Sequence, residues 1–578
     1  MSDWFALIST DSSCSELRKT WHPDSCDRPT TVTLDWCEVS LWRVEASKFS
    51  SDRVFYPGNN YSIFLDGVVL NSLKLAQQEG TQTWSEALVA MYENDGSNCF
   101  GKLRGNFSGI LVDHREREVI VYTDHFASER VFYMQGDGWT VCSSQLKWIT
   151  DFCGSHQQSL QWDLVGAYSL LVMGCMYGNH TLVNGIVQVP PGTVLKLTDQ
   201  NINTKQYYHI PNSELQLGIE ETLDVLTTLF LEAVNMQLEK NKEYGWSNFM
   251  PLSGGLDSRM TVLAARRLGV EDAMVFTYSQ TGEWDSRIPC RITSDIGFEW
   301  LFRSLDAGLD LCDIDLGTLF GQGLLYYIWP AQLDGFMRRI SHEDLGLVHT
   351  GVAGGGVIGG RYAHRGHTVE KSSYRLGDGA MSVKFLPRLR EYLGFEPQMN
   401  YEEGMFRNRC FNGTNPGYLT VFRKYSAGAS PFLNVDFFDF CLSLPMKQRA
   451  LNSLYYRWVL RDFPEASSYS HNGFRISKMP EMRVLGRNIS LDRLPSVLLE
   501  KGMKATHIRK GMNPFDRWYK QSTIVRTCMD DYFLSNLERL KSSPRLFSDC
   551  QELYDSGSVI EKIMALSLVS ATGLLEIK

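Results

Sequence analysis

The chain of 578 residues has no apolar run near 18 residues, so a membrane-spanning helix is not expected. It has no surplus of basic charge either: 57 Lys and Arg stand against 66 Asp and Glu, a net charge of -9. A nucleic-acid binder normally shows a basic face that displaces counterions from phosphates, so that class is disfavoured. None of the 13 cysteines, Cys14 to Cys550, forms a C-x-x-C pair. Neither a zinc site nor a disulfide framework is therefore expected, and the thiols read as reduced and buried. The opening MSDWFALIST lacks the basic n-region and long apolar h-region of a signal peptide, so the expectation is a cytoplasmic protein without membrane or nucleic-acid partners. Fixed-period repeats and low-complexity tracts are also missing.

What is there is the composition of an ordinary globular protein, long enough for two or three cores. Residues 1–155 alternate short apolar runs with turns: Asp3-WFALIS, Tyr61-SIFLDGVVL, Gly109-ILVDH, Glu118-VIVYTD and Trp139-TVCSS. This period-2 pattern, with a helical stretch at 83–94, predicts an α+β domain of sheet packed on sheet with flanking helices. Residues 156–212 read as a connecting helix (162–173) and a hairpin around Pro190-Pro191-Gly192, because proline fixes φ and glycine accepts positive φ. From 213 to 578 a long amphipathic helix precedes a strand (246–252), a glycine run, a helix (258–268) and a second strand (273–278). Strand, glycine loop, helix, strand is a βαβ unit, and it predicts a parallel sheet covered by helices on both faces. From about residue 376 the pattern is helical almost throughout.

The glycine run, PLSGGLDSRM from Pro251 to Met260, concentrates the chemistry. In a βαβ unit a ligand sits at the carboxyl ends of the strands, where a helix N-terminus presents unpaired N–H groups. Gly254 and Gly255 let the backbone approach a phosphate, Ser253 and Ser258 donate hydrogen bonds, and Asp257 is a carboxylate placed for Mg²⁺. The competing reading is a glycine turn capped by Asp257. No lysine follows the glycines, so this is not the loop that cradles β and γ phosphates, and chemistry at the α-phosphate is expected.

SGGLDS resembles the pyrophosphatase-type loop of the asparagine synthetase family. Other stretches are similar to that family in the same order: Leu103-RGNFSGILVD, Thr123-DHFASERVFY, Ser143-SQLKWI, Leu65-DGVVLN with Asp66 where the family has asparagine, Val189-PPGTVLKL and Ser430-PFLNVDFFDFCLSLP. The resemblance implies an N-terminal nucleophile-hydrolase-like (αββα) domain of glutamine amidotransferase type, followed by an α/β adenine-nucleotide-hydrolase-like (Rossmann-like) synthetase domain with a helical C-terminal part. It implies ATP and Mg²⁺ as cofactors, with a carboxylate activated as an acyl-adenylate. Aspartate to asparagine is the default substrate pair. A specialised amide ligase or macrolactam cyclase and a catalytically impaired nucleotide-binding scaffold are the alternatives. Small-molecule or peptide carboxylates and amines are the implied partners, and a homodimer or a pathway partner protein stays open.

By the same resemblance, Leu252, Ser253, Gly254, Gly255, Asp257, Ser258, Thr277, Tyr278 and Gly351 would bind ATP or pyrophosphate. Asp257 would hold the metal, and Lys510 in Arg509-KGMNPFDRW would be catalytic beside Asp257, with Arg509 and Lys504 as substitutes. Asp285 matches an acidic position or caps a helix, and Arg259 reaches a phosphate or lies along its helix. Two departures stand out. The nucleophile position of the first domain is Ser2, a weaker nucleophile than a thiolate, so that domain is expected to have lost glutaminase activity. The family's second loop, S-G-E-G-x-D-E-x-F-G-G-Y, appears as His349-TGVAGGGVIGGRY. There Thr350, Gly351, Gly359 and Gly360 match, the glutamate is Val352, and the Asp-Glu pair is Gly355-Gly356. An aliphatic side chain cannot move a proton, so Val352 disfavours the acid/base route used by lactam-forming members.

Overall fold

The computed structural model describes residues 3–10, 17, 21–23, 26, 28–212, 214–359, 362, 373–470, 476, 481–484, 487–490 and 512–577, with backbone alone over 481–484 and 487–490. Two six-stranded antiparallel sheets form the N-terminal part. The first orders Val187–Gln188, Phe132–Gly136, Trp139–Ser143, Trp4–Ser9, Glu38–Arg43 and Thr30–Thr33. The second orders Ile202–Gln206, Thr193–Leu197, Glu118–Thr123, Gly105–Asp113, Tyr61–Val69 and Val54–Pro57.

Alternation along each strand builds the layers. Trp4, Ala6 and Ile8 meet Phe64, Ile110, Val112 and Val121 between the sheets. Phe5 and Leu7 point the other way, where Phe5 packs on Phe152 of helix Leu146–Ser155. On the far side, Ile63, Leu65 and Leu111 meet helices Ser72–Glu79 and Trp84–Asp95. Helix, sheet, sheet, helix is the αββα layering expected from the sequence. Because both faces of the central strands are covered, WFALIS reads as a nearly unbroken apolar run, and all six of its residues are buried.

The expected boundary near residue 155 is corrected by the strand pairing. Val187–Gln188 joins the first sheet, while Thr193–Leu197 and Ile202–Gln206 complete the second beside Glu118–Thr123. The proline turn therefore crosses between the two sheets of the N-terminal domain, which runs to about Gln206. A hairpin signal is local, whereas its strand partners lie about 70 residues upstream, so the sequence could not assign it. Helix Leu164–Met173, inside this stretch, packs instead on the C-terminal helices: its Tyr168 hydroxyl donates to Asp549 Oδ2 at 2.7 Å and its ring stacks on Tyr392.

The second domain carries a five-stranded parallel sheet in the order Glu299–Ser304, Met274–Ser279, Ser247–Pro251, Leu345–His349, Ala427–Ala429. Counted along the chain this is 3-2-1-4-5, so the order reverses between Ser247–Pro251 and Leu345–His349. Connections leave those neighbours in opposite directions and open a crevice beyond their carboxyl ends. The glycine run and the second loop follow these two strands. The C-terminal half is helical, closing with Val559–Leu575, which is buried along most of its length. Among the described residues no helix is long and apolar enough to cross a membrane.

Candidate active site at the strand crossover

Leu252 leaves its strand still paired, its N–H donating to Phe276 O at 2.9 Å and its carbonyl accepting from Thr277 Oγ1 at 2.7 Å. The chain then bends and enters helix Asp257–Arg267. Loop shape is fixed from within. Ser258 Oγ accepts the Ser253 N–H at 3.0 Å and lies 3.1 Å from Ser253 Oγ, which accepts the Gly255 N–H at 3.1 Å. Asp285 Oδ1 accepts the Gly254 N–H at 2.8 Å, and burial raises the Asp285 pKa. Asp285 thus pins the loop from outside; it sits inside helix Trp284–Ile296 and is not its cap.

Asp257 does not cap its helix either, because Leu256 occupies that position and no side chain closes it. The Asp257 carboxylate instead reaches the second loop: Oδ2 accepts the Gly355 N–H at 2.8 Å and Oδ1 accepts the Tyr455 hydroxyl at 3.0 Å. Burial, followed by the neighbouring Asp257 charge, drives the Tyr455 pKa well up, so Tyr455 remains a hydrogen-bond donor. Where the family has a metal-binding carboxylate, a backbone amide now faces Asp257.

The two loops touch without room for side chains. A Cβ on Gly351 would stand 2.4 Å from Ser258 N, and one on Gly354 would stand 2.6 Å from Asp257 Cγ. Ala353 between them holds φ at +72°, a left-handed value that favours glycine, and its neighbour Val352 is fixed by Ser430 Oγ donating to its carbonyl at 2.7 Å. Arg259 is buried, and its guanidinium donates to four carbonyls, of Gly254, Ala466, Tyr469 and Ser470. It braces the loop and does not face the crevice.

A cavity of about 520 Å³ opens over these loops. It brings together Leu252, Ser253, Gly255, Asp257, Ser258, Thr277, Tyr278 and Gly351 from the expected set, with Asp285 and Val352. Gly254 contributes to the same loop, but its N–H is already taken by Asp285. Ser2, Lys504, Arg509 and Lys510 lie outside the described residues, as does Gly360. The sequence reading missed Tyr455, Tyr456, Cys410, Thr414 and Tyr418, which line the cavity from stretches that carry only a helical pattern. Among the described residues no group of three or more metal-ligating side chains gathers. Of the two carboxylates that line the cavity among the described residues, Asp285 is taken up by the Gly254 N–H and Asp257 reaches across to the second loop. One carboxylate is a sufficient protein share for Mg²⁺ bound mainly through phosphates and water, so the donor set is compatible with that ion.

A second, much smaller cavity of about 20 Å³ lies between the two domains, lined by Arg53, Asp66, Asn106 and Glu129 on one side and by Leu347, Arg423 and Ala427 among others on the other. Arg423 enters from helix Asn415–Tyr425. It pairs with Asp66 at 3.1 Å, Asp3 at 3.4 Å and Glu129 at 2.7 Å, the last contact lacking a hydrogen-bond angle. Arg53 bonds Asp66 at 2.9 Å. Three carboxylates against two guanidinium groups leave one excess negative charge. Burial, opposed by Arg423, pushes the Glu129 pKa up to about 7, so Glu129 is where a proton relieves that excess. Room for one water is left, and none for an amino acid.

Residues 53–208 match the family model for the glutamine amidotransferase domain. The chain is 24% identical over 235 residues to the glutamine-hydrolyzing asparagine synthetase 3 of Bacillus subtilis (strain 168), covering 39% of this chain and 37% of the relative. It is 24% identical over 220 residues to a putative glutamine-hydrolyzing asparagine synthetase of Mycobacterium tuberculosis (strain ATCC 25618 / H37Rv), covering 36% and 33%. The chain thus spans a little over a third of the length of the curated relatives it matches. Among solved structures it is similar to an allosteric regulatory enzyme of purine biosynthesis, at 12% identity and a TM-score of 0.23 over 52% of this chain and 74% of the other. It is also similar to the glutamine phosphoribosylpyrophosphate amidotransferase of B. subtilis, at 11% identity and a TM-score of 0.21 over 52% and 59%.

Proposed function

Because the chain belongs to the asparagine synthetase family, we propose that it is an ATP-dependent, amide-forming ligase whose parallel-sheet domain activates a carboxylate as an acyl-adenylate. The observation that supports this most is the meeting of two glycine-rich loops at the strand crossover, with Asp257 between them and an open cavity above. A carboxylate oxygen attacks the α-phosphorus of ATP, the bond to the β-phosphate bridging oxygen breaks, and pyrophosphate leaves. The Ser253 and Ser258 hydroxyls and the Gly351 amide meet the charge that develops, in a site set before the reaction starts. Lys510 supplies the cation toward the α-phosphate. A nitrogen lone pair then adds to the acyl carbon, AMP departs with the electron pair of the acyl C–O bond, and the amine proton passes to solvent, since Val352 accepts none. Asp257 would hold Mg²⁺, which neutralises phosphate charge when bound.

The nitrogen does not come from glutamine in this reading. Arg423 of the parallel-sheet domain pairs with Asp3, Asp66 and Glu129 of the amidotransferase-like domain, and Ser2 stands at the nucleophile position. That domain serves instead as a rigid partner of the ligase half. Production of glutamate from glutamine, lost in Ser2→Ala, would sink this part.

The central test is exchange of labelled pyrophosphate into ATP in the presence of Mg²⁺ and a panel of carboxylic acids. Exchange dependent on an acid is expected, and Asp257→Ala should reduce it at least about 100-fold, the usual scale for removing a group that acts on the transition state. Exchange undiminished in that variant would overturn the role of Asp257. ATP binding with no exchange for any acid would favour a nucleotide-binding scaffold.

A further inference from the structure

Asp257 is held at both of its carboxylate oxygens. Oδ2 accepts the Gly355 N–H at 2.8 Å and Oδ1 accepts the Tyr455 hydroxyl at 3.0 Å, from partners 98 and 198 positions away along the chain. The last torsion of an aspartate is broad and roughly two-fold, so a carboxylate held by one oxygen can still swing. A donor on the other oxygen fixes its plane. That plane decides where the lone pairs point, and hence where the carboxylate can meet a cation.

The tyrosine side of this hold is built into the fold. Tyr455 lies in the first turn of helix Ser453–Asp462. The two residues before the helix, Leu451 and Asn452, have φ values of +60° and +63°, both left-handed. Two such residues in a row, the first a leucine, are strained, and strain of this kind gathers at functional sites where the surrounding structure over-determines it. Here Asn452, Tyr455 and Tyr456 all line the main cavity, and Asn452 Nδ2 donates to the Tyr456 hydroxyl at 3.3 Å. One turn further on, Trp458 anchors the helix. Its Nε1 donates to Thr227 Oγ1 at 2.9 Å on helix Ile219–Tyr244, and its ring packs on Phe230 and Phe463 with centroids 5.1 and 5.4 Å away. The Tyr455 ring is buried and stacks on Trp458, with centroids 5.9 Å apart. Packing therefore places the ring, and a phenylalanine there keeps that packing while removing the hydroxyl alone.

The glycine side is braced separately. Next to Gly355, a Cβ on Gly356 would stand 2.8 Å from the Tyr362 ring, so the loop lies directly against that ring. Tyr362 in turn meets Phe406 edge-on, with centroids 5.1 Å apart. Phe406 opens the segment Phe406–Thr414, which winds as a π-helix, a rare form that gathers at functional sites. Its Asn408 carboxamide accepts the Gly178 N–H at 2.9 Å and donates to Gly404 O at 3.0 Å. The two donors to Asp257 thus stand on different elements, each fixed by its own contacts.

We propose, resting on the reading that Asp257 holds Mg²⁺, that Tyr455 is a positioning residue of this cation site. Its hydroxyl, together with the Gly355 amide, sets the orientation in which the Asp257 carboxylate meets the metal of a bound nucleotide. Tyr455 acts through Asp257 and is not itself a ligand. Removing such an outer partner of a ligating carboxylate changes metal affinity about 10–100-fold.

The experiment is a Mg²⁺ titration of ATP binding on the full chain, with Kd for ATP also measured in EDTA and Tm alongside. Tyr455→Phe should raise the Mg²⁺ concentration that gives half-maximal tightening of ATP binding about 10–100-fold, with Kd in EDTA unchanged. Excess Mg²⁺ should return Kd for ATP to the parent value. That recovery is the readout a merely structural tyrosine would not give, because added metal does not repair lost packing. A Mg²⁺ midpoint unchanged in Tyr455→Phe, or a loss of affinity that no concentration of Mg²⁺ restores, would overturn the inference. The role of Asp257 would still stand if Asp257→Ala abolished the Mg²⁺ dependence. A parent chain whose ATP binding ignores Mg²⁺ would overturn both.

Discussion

At the loop junction, single atoms decide what each glycine does. Gly351 and Gly354 carry the contact between the loops, because an added Cβ would strike the Ser258 backbone or the Asp257 carboxylate. Gly351→Ala should therefore lower stability by about 1–3 kcal/mol and weaken ATP binding. Gly355→Ala should change stability by less than about 0.5 kcal/mol, since the nearest atom to its Cβ is Asp257 Oδ2 at 3.6 Å. Calorimetry on the two variants checks both, and equal losses would refute the geometry. The same contrast separates the two lost carboxylates of the second loop. A side chain fits at Gly355, so Gly355→Asp should fold and tighten Mg²⁺-dependent nucleotide binding, measured by titration. At Gly356 the Tyr362 ring stands 2.8 Å from the added atom, and Gly356→Glu should destabilise.

Among the elements, helix Asp257–Arg267 is braced by Arg259, whose one guanidinium satisfies carbonyls from the glycine loop and from the 466–470 segment. A lysine at this position keeps the charge and loses the planar fork that spans four acceptors. Arg259→Lys should cost on the order of 3 kcal/mol, as buried carbonyls are left without donors, and should raise Kd for ATP through the loop. An unchanged Tm would show that the brace is dispensable. In the sequence, Arg259 reads either as a phosphate ligand or as a side chain lying along its helix, because helical spacing gives its turn but not its depth. The π-helix is equally silent there: FRNRCFNGT carries no signal for the looser winding, which the Asn408 and Asn412 contacts to residues 176–178 hold in place.

Over the whole molecule, cations join the two domains. Lys240 is buried against Asp52 at 2.8 Å, Arg104 grips Asp436 with two hydrogen bonds, and Arg423 sits among Asp3, Asp66 and Glu129. The Arg423 cluster gives a pH signature. The Glu129 pKa rises on folding from 4.5 to about 7, so the folded chain binds its proton more readily than the unfolded one does. Its contribution to stability is greatest below about pH 4.5 and falls as pH rises through 7. Glu129→Gln should therefore gain stability relative to the parent across that window, with no further change above it. Buried His125 and His349, both pushed down to about 3, favour higher pH, but they act alike in the two proteins and cancel in the difference. Urea unfolding at several pH values measures this, and a flat difference would refute the assignment.

The sequence by itself determined the two-domain plan, the βαβ unit and the glycine-rich loop, because each rests on short-range periodicity or on adjacent residues. WFALIS and SGGLDS need nothing distant to be read. Only the tertiary structure decided that the proline turn belongs to the sandwich, that Asp257 faces a backbone amide of the second loop, and that Arg423 reaches across to Asp3, Asp66 and Glu129 of the first domain. It also decided that Cys410 and Thr414 face the cavity. Each of those facts joins residues about 70 to 420 positions apart, and which partners meet is set by how covered sheets and helices pack, a condition that no local pattern encodes.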